Sequence, residues 1–194
     1  MNTNLPHTSI CMVRPTLSDL PAVAPPVPYA FRPYAPGDEA AWVRIHELSD
    51  PLNTAELALF EREFGHDAEA LRRRQLYLCD GQGEAVGTIT AWHNTDFPDR
   101  AYGRVHWVAI VPAHQGAGLG KPLLAACLHR MVELGCEGAY LTTNAPRILA
   151  IGLYLRFGFR PRVRSEAERE PWRRVAENVR PELAGLVRAA LEDA

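Results

Sequence analysis

The amino-acid sequence predicts a mixed α/β fold, in which a mostly antiparallel sheet is flanked by helices. Two strand-like segments, 75–79 and 85–92, flank the turn sequence Asp80-Gly-Gln-Gly83, which is a strong hairpin signal. A later strand-like segment, 104–111, runs through a glycine-rich turn into apolar residues at helical spacing. Helical patterns also dominate the stretch before the hairpin and the end of the chain. This order of elements is typical of a mixed α/β domain.

The first half of the chain begins with a strand and continues with two helical segments. Residues 29–34 are predicted to form the strand, and Pro36-Gly-Asp38 gives a turn and an N-cap for a helix over 39–48. Residues 54–74 carry a second helical pattern. Its apolar positions are Leu57, Leu59, Phe60, Phe64 and Leu71. The hairpin follows, and a polar loop over 94–103 separates it from the next strand.

The second half alternates between strands and helices. After the strand over 104–111, the glycine turn leads into a helix that ends at Gly135. The buried stripe of this helix is Leu123, Leu124, Cys127, Leu128 and Met131. A strand over 138–143, a helix that ends near Phe157 and an extended segment over 159–163 are expected to follow.

The chain is expected to consist of an extension, a domain and a tail. Residues 1–27 are polar and then rich in proline, which predicts a poorly ordered extension. Residues 28–163 carry the elements above, and 194 residues suit one domain with a sizeable core. Residues 164–194 are predicted to form a helical tail with a break at Pro181. The tail would pack on its own domain or on a partner subunit, which leaves a homodimer open.

The composition argues against several classes of partner. A net charge of -2 gives no basic excess for nucleic acid or an anionic membrane surface. No apolar run reaches the ~18–20 residues that span a bilayer, and the N-terminus lacks a signal-peptide pattern. The histidines do not pair at ligand spacing with acids or cysteines, so no metal site is expected. Four scattered cysteines fit a reduced, cytoplasmic setting.

The glycine turn carries the sequence Gln-x-x-Gly-x-Gly, with Gln115, Gly118 and Gly120 in the named positions. Glycines between a strand and a helix let the backbone approach a ligand and direct several N–H groups at one point. Together with the positive end of the following helix, these groups suit a phosphate or pyrophosphate.

Two familiar phosphate-binding motifs do not fit this turn. A P-loop needs Gly at position 115 and Ser or Thr at 122, where the chain has Gln115 and Pro122. A dinucleotide fingerprint that starts at Gly116 needs Gly at 121, where the chain has Lys121.

A second motif follows the helix by about 20 residues. Residues 150–159 read Ala-x-x-Leu-Tyr-x-x-x-Gly-Phe, with Ala150, Leu153, Tyr154, Gly158 and Phe159. The glycine turn and this motif, in this order, resemble the two signatures of the GNAT (Gcn5-related N-acetyltransferase) superfamily. The resemblance covers roughly residues 29–163. It implies a GNAT-type sheet. That fold usually has two strands at its C-terminal end, whereas only the segment 159–163 of this chain looks extended there.

The resemblance implies that the chain binds acetyl-coenzyme A as its acetyl donor. Backbone N–H groups of Gln115, Gly116, Ala117, Gly118 and Gly120 would face the pyrophosphate, with Lys121 adding charge. Members of the superfamily commonly bulge the strand before this turn, so that its backbone pairs with the pantetheine arm.

By the same resemblance, the pantetheine contacts fall to Val108 and Ile110, and the N–H of Val108 becomes the oxyanion donor. Tyr154 would lie near the sulfur and protonate the leaving thiolate. Many members have Asn where this chain has Arg147, so that contact is not transferred.

The general base is open to alternatives. Strict strand alternation places Arg104, His106, Val108 and Ile110 on one face and Val105, Trp107 and Ala109 on the other. Histone-type members carry Glu at the position of Arg104, and serotonin-type members carry His at the position of His106. His106, with an unperturbed pKa of about 6.5, is the candidate base, and His93 or water is the alternative.

These observations predict an acetyl-coenzyme A-dependent N-acetyltransferase that acts on a small-molecule amine by direct attack in a ternary complex. Two alternatives stand beside it. One is acetylation of a protein lysine or N-terminus, and the other is a non-catalytic acyl-coenzyme A-binding module. The acceptor itself is not specified by any motif.

Overall fold

A computed structural model describes residues 5–50 and 54–192 of the chain. Within these residues, seven strands form one sheet. They are β1 (Ser9–Arg14), β2 (Ala30–Pro33), β3 (Gln75–Cys79), β4 (Ala85–Trp92), β5 (Tyr102–Ile110), β6 (Gly138–Asn144) and β7 (Arg160–Arg162). The helices are α1 (Glu39–Ser49), α2 (Leu57–Phe64), α3 (Ala68–Arg74), α4 (Gly120–Glu133), α5 (Ile148–Arg156), α6 (Glu166–Asn178) and α7 (Pro181–Glu192).

The sheet has the strand order β2-β3-β4-β5-β6-β1-β7. Every neighbouring pair is antiparallel except β5 and β6, which run parallel. Helices flank this sheet, as the sequence predicts, so the predicted fold class is confirmed. None of the helices described is both long and apolar enough to cross a bilayer.

The N-terminal segment is part of the sheet. β1 lies between β6 and β7, where Met12 is the register partner of both Leu141 and Pro161. The expectation that residues 1–27 form a poorly ordered extension is therefore wrong for residues 9–14. Ile10 and Met12 alternate with more exposed residues and face the core, but the proline-rich stretch beside them hid this short pattern. The N-terminal segment thus supplies β1 to the sheet, whereas in the described ranges only β7 comes from the part of the chain after α5.

The second helical pattern is interrupted. α2 ends at Phe64 and is followed by Gly65, whose φ of 69° belongs to the left-handed region that glycine adopts readily. Asp67 then caps α3, because its side chain accepts hydrogen bonds from the backbone N–H groups of Glu69 and Ala70. The part of the predicted segment at residues 51–53 lies outside the described residues.

The helical tail packs on its own domain. α6 and α7 contact each other, α6 contacts β1, and α7 contacts α5 and β7. Trp172 of α6 and Val187 of α7 are fully buried. The predicted break between the two helices falls at Pro181, the first residue of α7.

Replacing Met12 with alanine tests whether β1 is an integral strand. Met12 is 0% exposed, so Met12→Ala is expected to lower the free energy of unfolding by ~2–5 kcal/mol. Ser9→Ala, on the exposed side of the same strand, should change it by less than ~0.5 kcal/mol. Chemical denaturation measures both values. Equal, negligible effects of the two variants would show that β1 is not part of the cooperative core.

Candidate active site

A cleft opens where β5 and β6 separate. The two strands pair only from Tyr102 to Arg104 and from Gly138 to Tyr140. Beyond that register the cleft is lined by residues 105–108 of β5 and residues 141–144 of β6. Its volume is about 240 Å³. The only parallel pair of strands among the described residues therefore supplies both walls of a small cavity.

A β-bulge shapes the wall that β5 provides. Thr88 pairs with Ala109 and Thr90 with His106, so Trp107 and Val108 together lie opposite a single residue of β4. Trp107 has a φ of 48°, which is uncommon for a large side chain. The bulge before the glycine turn agrees with the prediction, but it shifts the alternation. The expectation that Trp107 and His106 point to opposite faces is wrong, because the extra residue turns both side chains toward α2.

Both side chains meet at Glu63 on α2. Nε2 of His106 lies 3.1 Å from Oε2 of Glu63, and Nε1 of Trp107 donates to the same oxygen at 3.0 Å. The hydrogen bond with His106, supported by that from Trp107, lowers the pKa of Glu63 to about 2. An ionised carboxylate only accepts, so Nε2 of His106 carries the hydrogen and Nδ1 carries the lone pair.

His106 lies in the cleft as a buried imidazole. It is 8% exposed and lines the cleft. Burial lowers its pKa below the usual 6.5, although the hydrogen bond with Glu63 acts in the opposite direction. The positive charge of Arg104 lowers this pKa further. At neutral pH the ring is therefore uncharged, with one nitrogen able to take a proton.

Glu63 was not predicted as a site residue, although the sequence carries a signal for it. Leu59, Phe60 and Phe64 form the buried face of α2, and position 63 lies on that face, four residues after Leu59 and three after Phe60. A glutamate among apolar positions of an amphipathic helix requires a partner. The partner is a histidine 43 residues away, which no local pattern reveals.

Tyr154 lies in the same cleft, as the second motif implies. It projects from α5, is 7% exposed, and its ring packs at 6.0 Å from that of Phe159. Burial raises its pKa to about 12. The phenol is therefore protonated at neutral pH and has a proton to donate.

The glycine turn presents an open backbone surface at the end of β5. Gly116 and Gly118 have φ values of 80° and 77°, and an added Cβ at either would meet no atom within 4 Å. Among the described residues, the N–H groups of residues 116–121 have no hydrogen-bond acceptor. The side chain of Gln115 folds back instead and donates to the carbonyl of Ile110 at 2.8 Å.

The turn and the second motif are neighbours in space. Gly120 begins the 14-residue helix α4, and a Cβ at this position would lie 3.2 Å from the side chain of Leu153. Tyr154 follows Leu153 directly on α5. The helix N-terminus suited to an anion and the cleft tyrosine therefore belong to one local arrangement.

The far side of the cleft is polar. Arg147 forms an ion pair with Asp50 at 2.7 Å, and both line the cleft together with His46 and Arg104. His46 is 2% exposed, and burial lowers its pKa to about 3, so the ring is neutral. Its ring lies 4.3 Å from that of Trp42. None of these side chains belongs to a motif that identifies it in the sequence.

The alternative base is not brought to this site. His93 directly follows β4, makes an edge-to-face ring contact with Trp92 and does not line the cleft. Burial, with help from Arg74, lowers its pKa. Ile110, the last residue of β5, and Lys121, in the first turn of α4, likewise do not line the cleft. In the described ranges, no three His, Cys, Asp or Glu residues cluster closely enough to hold a metal ion.

Comparisons with known sequences point to one family. A model of the acetyltransferase (GNAT) family matches residues 40–159. The mycothiol acetyltransferase of Pseudarthrobacter chlorophenolicus is 33% identical over 151 residues, which cover 73% of this chain and 46% of that protein. The mycothiol acetyltransferase of Corynebacterium aurimucosum is 33% identical over 138 residues, which cover 62% and 42%. The chain thus spans about half the length of these curated relatives.

Solved structures show the same fold. A GCN5-related N-acetyltransferase from Sphaerobacter thermophilus superimposes with a TM-score of 0.65 at 21% identity, over 79% of this chain and 48% of that one. The ribosomal-protein-S18-alanine N-acetyltransferase of Escherichia coli superimposes with a TM-score of 0.58 at 18% identity, over 70% and 79%. Since the family model covers well over half of the residues, this chain belongs to the acetyltransferase (GNAT) family.

Proposed function

We propose that this protein transfers an acetyl group from acetyl-coenzyme A to the amine of a small molecule, by direct attack in a ternary complex. The proposal rests mainly on the cleft between β5 and β6. This cleft has a volume of about 240 Å³ and is lined by both His106 and Tyr154. One wall of this cleft runs directly into the open glycine turn. The name of the relatives, mycothiol acetyltransferase, supports a small-molecule acceptor.

The glycine turn fits the phosphate groups of coenzyme A. The backbone N–H groups of residues 116–121 have no acceptor among the described residues, so they are available to donate to phosphate oxygens. The open space beside Gly116 and Gly118 admits a phosphate close to the backbone. The N-terminus of α4 and the exposed Lys121 add positive potential. Val108 and Ile110 follow the pantetheine arm along β5 toward the cleft.

The cleft residues then divide the proton transfers between them. Nδ1 of His106 accepts a proton from the attacking amine, and Glu63 stabilises the imidazolium that forms. The N–H of Val108, at the bulge, donates to the acetyl oxygen as negative charge develops on it. The phenol of Tyr154 gives its proton to the departing thiolate. One proton is taken up and one is released, so the ring and the phenol need only exchange a proton with water before the next turnover.

The cellular compartment is part of the same proposal. The four cysteines of the described ranges are free, which supports a reducing compartment such as the cytoplasm. The possible homodimer stays a prediction.

An amine panel tests the reaction, with Tyr154→Phe as the matched variant. The wild-type protein is expected to release free thiol from acetyl-coenzyme A when a small amine is present. Tyr154→Phe keeps the ring packing but loses the O–H, so turnover should fall by roughly 10- to 100-fold with nearly unchanged coenzyme affinity. A thiolate is a fair leaving group even without a proton donor, so the expected loss is at the low end of the range for acid catalysis.

The panel also separates the alternatives. Acetylation of peptide lysines or N-termini, in preference to small amines, would favour a protein acetyltransferase. Coenzyme binding without thiol release on any amine would favour a binding module. A Tyr154→Phe variant with a raised Michaelis constant for acetyl-coenzyme A and normal turnover would reduce Tyr154 to a packing contact.

Gly118→Val tests the glycine turn, and Gly83→Val is its control. Both glycines have positive φ and open space around an added Cβ, so both variants should suffer similar backbone strain of ~1–3 kcal/mol. Only Gly118→Val places a side chain where the pyrophosphate would lie, and it should weaken acetyl-coenzyme A binding at least ~10-fold, or about 1.4 kcal/mol. Calorimetry on the folded variants measures the affinities. Equal affinities would remove the turn from the coenzyme site.

The pH profile tests His106 and Glu63 together. Because the pKa of His106 is below 6.5, the acid limb of kcat/KM should lie below that pH. His106→Ala should lower the rate at neutral pH by ~10²-fold or more and show partial recovery at higher pH, where more amine is neutral. Glu63→Gln removes the negative charge that helps to raise the pKa of His106, so the acid limb should move to lower pH. A normal rate in His106→Ala, or an unmoved limb in Glu63→Gln, would exclude this pair from the proton transfer.

A further inference from the structure

We infer that the acceptor amine carries a negatively charged oxygen group, a carboxylate or a phosphate, that Arg104 binds in the cleft. The inference rests on the proposed function and adds the chemical class of its acceptor. It derives from the position of Arg104, from the partners of the other charged side chains in the cleft, and from the distance between Arg104 and the candidate base.

Arg104 shares its face of β5 with His106. The two residues are separated by one position and lie before the bulge, where alternation still holds. Because a strand rises about 3.3–3.4 Å per residue, the Cα atoms of residues 104 and 106 are about 6.7 Å apart. The charge of Arg104 depresses the pKa of His106, as expected for a cation so close to the ring. A group bound by Arg104 therefore lies a few bonds away from an amine that faces His106.

Arg104 is the one charged side chain of the cleft, among the described residues, that has no partner. Asp50 pairs with Arg147 at 2.7 Å, and Glu63 accepts from both His106 and Trp107. By contrast, Nε of Arg104 is buried and has no hydrogen-bond acceptor. No ion pair or hydrogen bond joins its guanidinium to any other described residue. The side chain as a whole is half-buried.

An unpaired guanidinium in a confined cleft selects the charge of what enters. The planar guanidinium can donate two parallel hydrogen bonds to one carboxylate or phosphate, a bidentate geometry that a lysine does not reproduce. His46 is neutral and adds no competing charge. An acceptor with a negative group near its amine gains this pairing, whereas an acceptor with a second ammonium group is repelled. Arg104 is thus a specificity-determining residue for the acceptor.

Two pairs of acceptors test the inference. The two members of each pair differ mainly in whether they carry the negatively charged group. The first is β-alanine against β-alaninamide, and the second is 2-aminoethyl phosphate against ethanolamine. The wild-type protein is expected to favour at least one charged acceptor by ~10-fold or more in kcat/KM, mainly through KM. Arg104→Gln should abolish that preference, and Arg104→Lys should keep part of it. Arg72→Gln, at an exposed position on α3, is the matched control and should behave like the wild type.

Calorimetric titration of the same compounds in the presence of coenzyme A measures acceptor binding without turnover. Tighter binding of the charged compounds with no acetyl transfer would sustain the role of Arg104 and overturn the proposed reaction. Equal binding and equal rates within both pairs would overturn the inference, and so would a preference that Arg104→Gln retains. The pair that shows the preference distinguishes a carboxylate from a phosphate.

Discussion

The separation of β5 from β6 is the constraint on which the candidate site depends. Backbone pairing holds the two strands at normal sheet distance as far as Arg104 and Tyr140, and no further. A bulge bends and twists its strand more strongly than regular pairing does, and the bulge at Trp107 falls just past that point. The cleft, the position of His106 and the approach to the glycine turn all follow from this local geometry.

The charges of the cleft are arranged around one histidine that stays neutral. Glu63 is ionised and hydrogen-bonded, which fixes the tautomer of His106 without making the ring a strong base. Burial and Arg104 both lower the pKa of that ring, while Glu63 raises it. The balance suits a group that must accept a proton and release it in each cycle, because a strongly basic ring would already be protonated at neutral pH.

Both ends of the described chain complete the sheet that carries the site. β1 fills a position between β6 and β7, and α6 and α7 cover the neighbouring edge. β6 forms one wall of the cleft, and the N-terminal strand pairs with the opposite edge of β6 through six register pairs. The fully buried Met12 is the register partner of Leu141, which lines the cleft, so core packing on β1 lies one strand away from the candidate site.

The sequence by itself determined most of the strands and helices after residue 28, the glycine turn and the tyrosine motif, because each depends on residues close together in the chain. Strand alternation and helical periodicity are local properties, and so is the preference of glycine for positive φ. Only the tertiary structure decided that Ser9–Arg14 joins the sheet, that Glu63 contacts His106 and Trp107, and that Arg104 lacks a partner. These features depend on segments tens of residues apart, or on a bulge that overrides alternation, and no local pattern encodes either.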